Sequence, residues 1–221
     1  MPLLALARPT QPTIVCTGLP WGGGDRGKVQ IYTVDMEGRA LRRLTNFPGG
    51  AWNPRWAPDG SRIVFNASGR LSFMDPDGGS VEHLLLPVSN PDWSPDGRHI
   101  AFLLSPDGFS LHLYTLDLDT GRKRRLVSDR RITNASWHPN GEEILFSAYD
   151  PSSETGDIWI IRRDGTNLRQ ITRNRRGVVT YHAHLFDPGL AVSPMGKKAT
   201  TWGGMKGRVQ RRDRAGRTGS R

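Results

Sequence analysis

Residues 55–65 read RWAPDGSRIVF, and close variants recur as DWSPDGRHIAF at 92–102 and SWHPNGEEILF at 136–146. Each copy sets a tryptophan ahead of a proline-led turn and follows it with a short apolar run. In Ala57-Pro58-Asp59-Gly60, proline presets φ at the second turn position and aspartate suits the third. Glycine then takes the positive φ that ends a type I turn with a bulge. Ser94-Pro95-Asp96-Gly97 repeats the device, and Pro139-Asn140-Gly141 uses asparagine in place of aspartate. Each copy is predicted to be one hairpin, with its Pro, Asp or Asn, and Gly serving as conformational punctuation.

Aligned on the triplets Ile14-Val15-Cys16, Ile63-Val64-Phe65, Ile100-Ala101-Phe102 and Ile144-Leu145-Phe146, the units are spaced by 49, 37 and 44 residues. Spacing in this range marks a repeat architecture. A second strand-like run follows each triplet: VQIYTVD at 29–35, RLSFMD at 70–75, LHLYTLD at 111–117 and DIWIIR at 157–162. A tight turn and a third run close each unit: LRRLT at 41–45, VEHLLL at 81–86, KRRLV at 123–127 and LRQIT at 168–172. The segments NPRW, NPDW and NASW supply a further short strand ahead of the turn. Each unit is thus expected to hold four strands.

Trp56, Trp93 and Trp137 admit two readings: a stacking platform for a sugar or base, or a large ring filling the wedge between twisted sheets. One per repeat, always in the same place, is what a stacked-repeat core demands. Packing is therefore expected, and Tyr32, Tyr114 and Trp159 are read in the same way. Antiparallel units of this size, with no helix-period segment between them, predict an all-β fold, a β-propeller of four-stranded blades. Four units are clear, which fits a ring of four or five blades or a fragment of a six-bladed one.

The motif W-[SA]-P-D-G-x-x-I-x-F, together with IYTVDMEG and LRRLT, resembles the repeats of the TolB-type, WD40-like propeller family over residues 14–172. The resemblance implies a rigid disc that binds another protein or a small ligand at its face or central channel. For TolB, the known partners include a peptidoglycan-associated lipoprotein. It also implies an alternative, because similar propellers form part of prolyl-oligopeptidase-like peptidases and of polysaccharide lyases. The blade itself does not fix a function.

The family pattern breaks after residue 178. VSPMGKK keeps a Ser-Pro-x-Gly-Lys frame but has Val192 and Met195 where Trp and Asp belong. Three accounts fit: ring closure, with Leu190 to Ser193 supplying the first strand that the opening unit lacks; truncation of a longer propeller; or a reading-frame slip. Closure is the expected one, since the others leave an open strand edge. The domain reading is an N-terminal extension at 1–13, a propeller at 14–202 and a basic, disordered tail at 203–221.

Charge is concentrated toward the end of the chain. Residues 1–172 hold 19 Lys+Arg against 19 Asp+Glu, whereas residues 173–221 hold 12 against 2 and so carry the whole net +10. A flexible basic arm gains counterion-release energy on phosphates. Nucleic acid is accordingly expected as a partner only through this tail. No apolar run reaches the roughly 18–20 residues that cross a bilayer, so no membrane insertion is expected. The single cysteine, Cys16, excludes an internal disulfide and a cysteine-based zinc site. Ala5-Leu6-Ala7 after an apolar patch is a candidate residue of an export signal. A periplasmic or secreted monomer is expected, with the cytoplasm as the alternative.

No nucleophile elbow, His-Glu-x-x-His, phosphate loop or Cys-x-x-Cys pair is present. No catalytic residue or cofactor is therefore assigned, and a non-enzymatic role is expected. His182 and His184 would share one face of a strand and are weak metal-ligand candidates. DPSSETGD at 150–157 carries calcium-type oxygens but reads better as a solvated loop. GRKRRLVSDRR at 121–131 gathers six cations against one aspartate. It could meet an acidic partner or discourage edge pairing.

Overall fold

A computed structural model describes residues 13–19, 28–128 and 131–180. The chain divides into two compact units, residues 1–91 and 92–221. Every element described is a strand, and among the described residues no helix is long and apolar enough to cross a membrane.

The first unit begins with β1 (Thr13–Gly18), β2 (Gln30–Asp35) and β3 (Arg42–Arg43) in a three-stranded sheet of order β1-β2-β3. The second sheet is four-stranded, with β4 (Ala51–Trp56), β5 (Ile63–Ala67), β6 (Arg70–Met74) and β7 (Glu82–Pro87) in chain order. Among the described residues the opening sheet thus has one strand fewer. Residues 190–193, expected to supply it, lie outside the described residues, as do His182, His184 and the 203–221 tail.

β8 (Ser89–Trp93) straddles the boundary and leads into the sheet completed by β9 (His99–Leu104), β10 (His112–Asp117) and β11 (Lys123–Val127). The last sheet is β12 (Arg131–Trp137), β13 (Glu143–Asp150), β14 (Thr155–Arg162) and β15 (Arg169–Gln170), again in chain order. Every pairing between named strands is antiparallel, as hairpin-connected neighbours must be.

The recurrent turn forms as its residues dictate. The Gly60, Gly97 and Gly141 amides donate to the carbonyls of Ala57, Ser94 and His138 at 2.9, 2.9 and 3.0 Å. The glycine φ angles are +69°, +69° and +71°. Oδ1 of Asp59, Asp96 and Asn140 accepts the backbone amide two residues on, at 3.0, 2.9 and 2.9 Å. Asn140 does what aspartate does because only the carbonyl-type oxygen is needed.

Cores form between sheets, because central strands are apolar on both faces; all five residues of β5 are buried. In the first unit Ile31, Ala51, Ile63, Phe65, Ala67 and Met74 pack together, with Trp56 against them. In the second, residues of β9, β10 and β11, such as Leu103, Leu113 and Val127, meet Ile132, Trp137, Ile144 and Phe146 of the following sheet. Each large side chain so buried stabilises by roughly 1.5–3 kcal/mol. Trp137 is 4% exposed, while Trp93 is half-buried at the end of β8.

Two polar networks tie outer strands to their neighbours. The Thr45 hydroxyl accepts the Ile31 amide at 2.9 Å and donates to the Gln30 side chain at 2.9 Å. The Thr172 hydroxyl accepts the Ile158 amide at 2.9 Å and donates to Asp157 at 3.0 Å. On β4 a bulge between Trp52 and Arg55 puts Asn53 at φ +52°, from where it donates to Asn90 at 2.6 Å.

Candidate binding groove on the second unit

The basic stretch around β11 lies on an edge strand, in the order β11-β10-β9-β8. Arg124 stands opposite Thr115, whereas Lys123 stands opposite Leu116 and Arg125 opposite Tyr114. Side chains alternate across a strand. Arg124 therefore shares a face with Thr115, while Lys123 and Arg125 occupy the other, with the Lys123 ammonium 6.0 Å from the Tyr114 ring centre.

On the Arg124 side the ends of two sheets enclose a depression of about 210 Å³, lined by His99, Thr115, Asp117, Arg122, Arg124, Arg163 and Asp164. Arg124 is held there by a hydrogen bond from Nη1 to the Asp164 carbonyl, 2.7 Å. Arg163 lies 3.2 Å from Glu142 and 3.8 Å from Asp96. Arg122 is exposed, and among the described residues its guanidinium makes no hydrogen bond or ion pair. Three guanidiniums thus face two carboxylates.

Both carboxylates are turned to the turns that carry them. Asp117 Oδ1 accepts the Thr120 amide at 2.8 Å. Asp164 Oδ1 accepts the Thr166 hydroxyl at 2.6 Å and the Thr166 amide at 2.9 Å. The Thr166 hydroxyl and amide, with Arg162 and Arg124 nearby, hold Asp164 below its ordinary range. For Asp96 burial pushes the carboxyl up. The His99 imidazole, the Ser94 hydroxyl and the Arg98 amide outweigh that and hold it well below the usual range.

Ser94, Asp96 and His99 stand together in one recurrent turn, the residue types of a hydrolytic triad. Their connectivity differs. Ser94 Oγ donates directly to Asp96 Oδ1 at 2.6 Å and accepts the His99 backbone amide at 2.8 Å. The His99 ring meets Asp96 at 3.7 Å. In a triad the serine hydroxyl gives its proton to the imidazole, whereas here the Ser94 hydroxyl is directed to the Asp96 carboxylate. Ser94 is moreover fully buried.

The acidic loop at 150–157 spends its oxygens locally. Asp150 accepts the Ser152 amide and hydroxyl at 2.9 and 2.7 Å, and Glu154 binds Arg176 at 2.9 Å. Asp157 Oδ1 holds Thr172 and the Asn174 amide. Among the described residues no group of three His, Cys, Asp or Glu could hold a metal ion.

One contact was not visible in the linear pattern. Arg42 donates to the Asp77 carbonyl at 3.0 Å in the first unit, as Arg124 does to Asp164 in the second. Both arginines precede Arg-Leu in their outer strand, and both aspartates precede the positive-φ glycines Gly78 and Gly165. The signal lay in the third run, where LRRL and KRRL share that first arginine.

Successive antiparallel sheets that share one turn formula and pack face to face define a β-propeller repeat protein. The chain belongs to one family with the uncharacterized protein Atu1656 of Agrobacterium fabrum and is similar in structure, and in part in sequence, to TolB β-propeller proteins. The Agrobacterium protein is 32% identical over 208 aligned positions, covering 71% of this chain and 69% of that one. TolB of Nitratidesulfovibrio vulgaris is 44% identical over 41 residues, 19% of this chain and 9% of that protein. The crystal structure of TolB from Acinetobacter baumannii superposes with a TM-score of 0.59 at 21% identity, over 67% of this chain and 38% of that one. Puromycin hydrolase superposes with a TM-score of 0.51 at 19% identity, over 72% of this chain and 31% of that one. At such identities the structural likeness is one of fold. The chain spans well under half the length of either solved protein. No protein-family model matches it.

Proposed function

We infer that the chain is a non-catalytic TolB-like propeller segment that acts as a binding scaffold for another protein in an exported, periplasmic setting. The observation that carries this reading is the Ser94–Asp96–His99 arrangement. The triad-type residues nearest the groove are locked into turn architecture, with the serine buried and its hydroxyl donated to the Asp96 carboxylate rather than to an imidazole. What faces solvent instead is a preformed, charged groove on turns stiffened by side-chain hydrogen bonds. Such preorganisation lowers the entropic cost of binding. Kinship with TolB, a Tol-Pal system protein by name, makes the soluble domain of a peptidoglycan-associated lipoprotein the first probe.

The test is calorimetric titration of the full chain with that domain, run beside assays with peptidyl anilides and with oligogalacturonate. Saturable binding without turnover supports the scaffold. Turnover of either substrate that Ser94→Ala or His99→Ala abolishes would overturn it in favour of an enzyme part.

A further inference from the structure

Resting on the scaffold reading, we propose that the groove lined by Arg122, Arg124 and Arg163 is the contact point for a carboxylate side chain of an acidic protein segment. The charge count favours this ligand. Three guanidiniums line the depression against two carboxylates, and of the three Arg122 makes no hydrogen bond or ion pair through its side chain among the described residues. That suits one incoming carboxylate and disfavours a chain of phosphates, which would meet Asp117 and Asp164 at each step. At about 210 Å³ the depression is below the roughly 300 Å³ at which ligand pockets begin. It admits a side chain rather than a nucleotide. Among the described residues its lining holds no Phe, Tyr or Trp, the platform on which single-stranded nucleic acids stack.

The guanidiniums are also placed for the task. Arg124 is anchored through Nη1 to the Asp164 carbonyl, and Arg163 is braced by Glu142 and Asp96. Both are thereby fixed before a ligand arrives. Arg122, exposed at the rim, is the group left to close on a carboxylate with two parallel N–H donors, the geometry that arginine forms best. Ionised Asp164, held so by Thr166, Arg162 and Arg124, keeps the turn in place around neutral pH. Two positions of the groove differ from their counterparts in the first unit. Arg122 corresponds to Ala40 in the first unit, and Arg163 to Pro76 before Asp77. Arg122 and Arg163 are thus additions to a frame that the blade repeats.

The experiment is fluorescence anisotropy with an acetylated, amidated oligoglutamate on the full chain and on two single variants, Arg122→Glu and Arg125→Glu. Both change the charge equally on the same edge, but Arg125 lies on the opposite face, opposite Tyr114. The basic C-terminal segment is common to all three proteins. Urea midpoints confirm that each variant is folded, and Arg122→Gln replaces Arg122→Glu if its midpoint has fallen. Arg122→Glu is expected to weaken binding by about tenfold or more, with Arg125→Glu within about twofold. Equal weakening by both variants, or none by either, overturns the proposal. So does a thymidine oligomer that binds more tightly than oligoglutamate and is lost in Arg122→Glu. If the lipoprotein domain binds the chain and Arg122→Glu leaves that binding intact, the groove assignment fails while the scaffold survives. Failure of both ligands to bind removes both.

Discussion

Arg124 reaches 40 residues along the chain to donate 2.7 Å to the backbone carbonyl of Asp164, and Arg42 reaches 35 residues to do the same to Asp77. An arginine on the outer strand of one sheet thus clips the turn of the next. The clip uses a charged donor on a main-chain oxygen, so it holds the turn backbone whatever side chains surround it.

Replacing Arg124 by methionine keeps the aliphatic stem and removes the donor. Hydrogen bonds from charged groups contribute about 1.5–3 kcal/mol when sheltered, and the exposure of Arg124 lowers that to about 1 kcal/mol. Urea unfolding should show a lower midpoint for Arg124→Met and little change for Arg125→Met. Equal midpoints would mean that the clip contributes nothing.

Glycines separate backbone strain from steric conflict. At Gly60, φ is +69° and an added Cβ meets nothing within 4 Å, so Gly60→Ala should cost about 1 kcal/mol through φ alone. At Gly78, φ is +86° and the added Cβ would lie 2.7 Å from the Leu44 carbonyl oxygen. Gly78→Ala should therefore destabilise clearly more, and a thermal melt of the two variants side by side decides it.

Thr45 is 4% exposed and its hydroxyl satisfies both the Ile31 amide and the Gln30 side chain. Thr45→Val is nearly isosteric but leaves the Ile31 amide without its acceptor, at a cost of about 1–3 kcal/mol. Hydrogen exchange at the Ile31 amide should accelerate in the variant. Unchanged exchange would refute the role given to the hydroxyl.

Acid should destabilise the fold in a defined window. Burial pushes Glu143 up, but hydrogen bonds from Arg169 and Asn140 more than offset this and lower it. The Ser110 and Phe109 amides lower Asp107 to about 2 from 3.8. A carboxyl with a depressed folded pKa contributes stability above its unfolded pKa and loses it as pH falls through the folded value. The urea midpoint should thus be flat above about pH 5 and drop between about pH 4 and 2. Asp107→Asn keeps an acceptor oxygen but cannot titrate, and it should shrink that drop.

Trp137 fills the space between sheets at 4% exposure, with Phe146, Ile144 and Leu113 in the same cluster. Trp137→Ala should cost about 3–5 kcal/mol by leaving a cavity. A loss below about 1 kcal/mol would remove the ring from the core.

Much of the fold was legible because its signals are local. Pro58, Asp59 and Gly60 specify a turn through their own φ preferences and one side-chain acceptor. The triplet Ile63-Val64-Phe65 announces a strand buried on both faces. The candidate site was less legible. Arg122 and Arg124 stood out as part of a charge cluster, but nothing nearby in sequence paired them with Arg163 and Asp164. Thr45 and Thr172 share their repeat position with Val127, so no residue type there flagged a polar network. Ser94 and Asp96 read in the sequence as turn residues, and the structure shows them hydrogen-bonded to each other within that turn.

The sequence by itself determined the strands, the turns, the repeat and its kinship, because backbone preference and period-two burial act over a few residues and each copy restates them. The tertiary structure alone decided which arginines clip a neighbouring turn, which are left at a groove, and which polar groups are consumed as architecture. Those outcomes depend on side chains some 35 to 65 residues apart meeting at sheet ends. Their separation is set by sheet packing, which no single unit encodes.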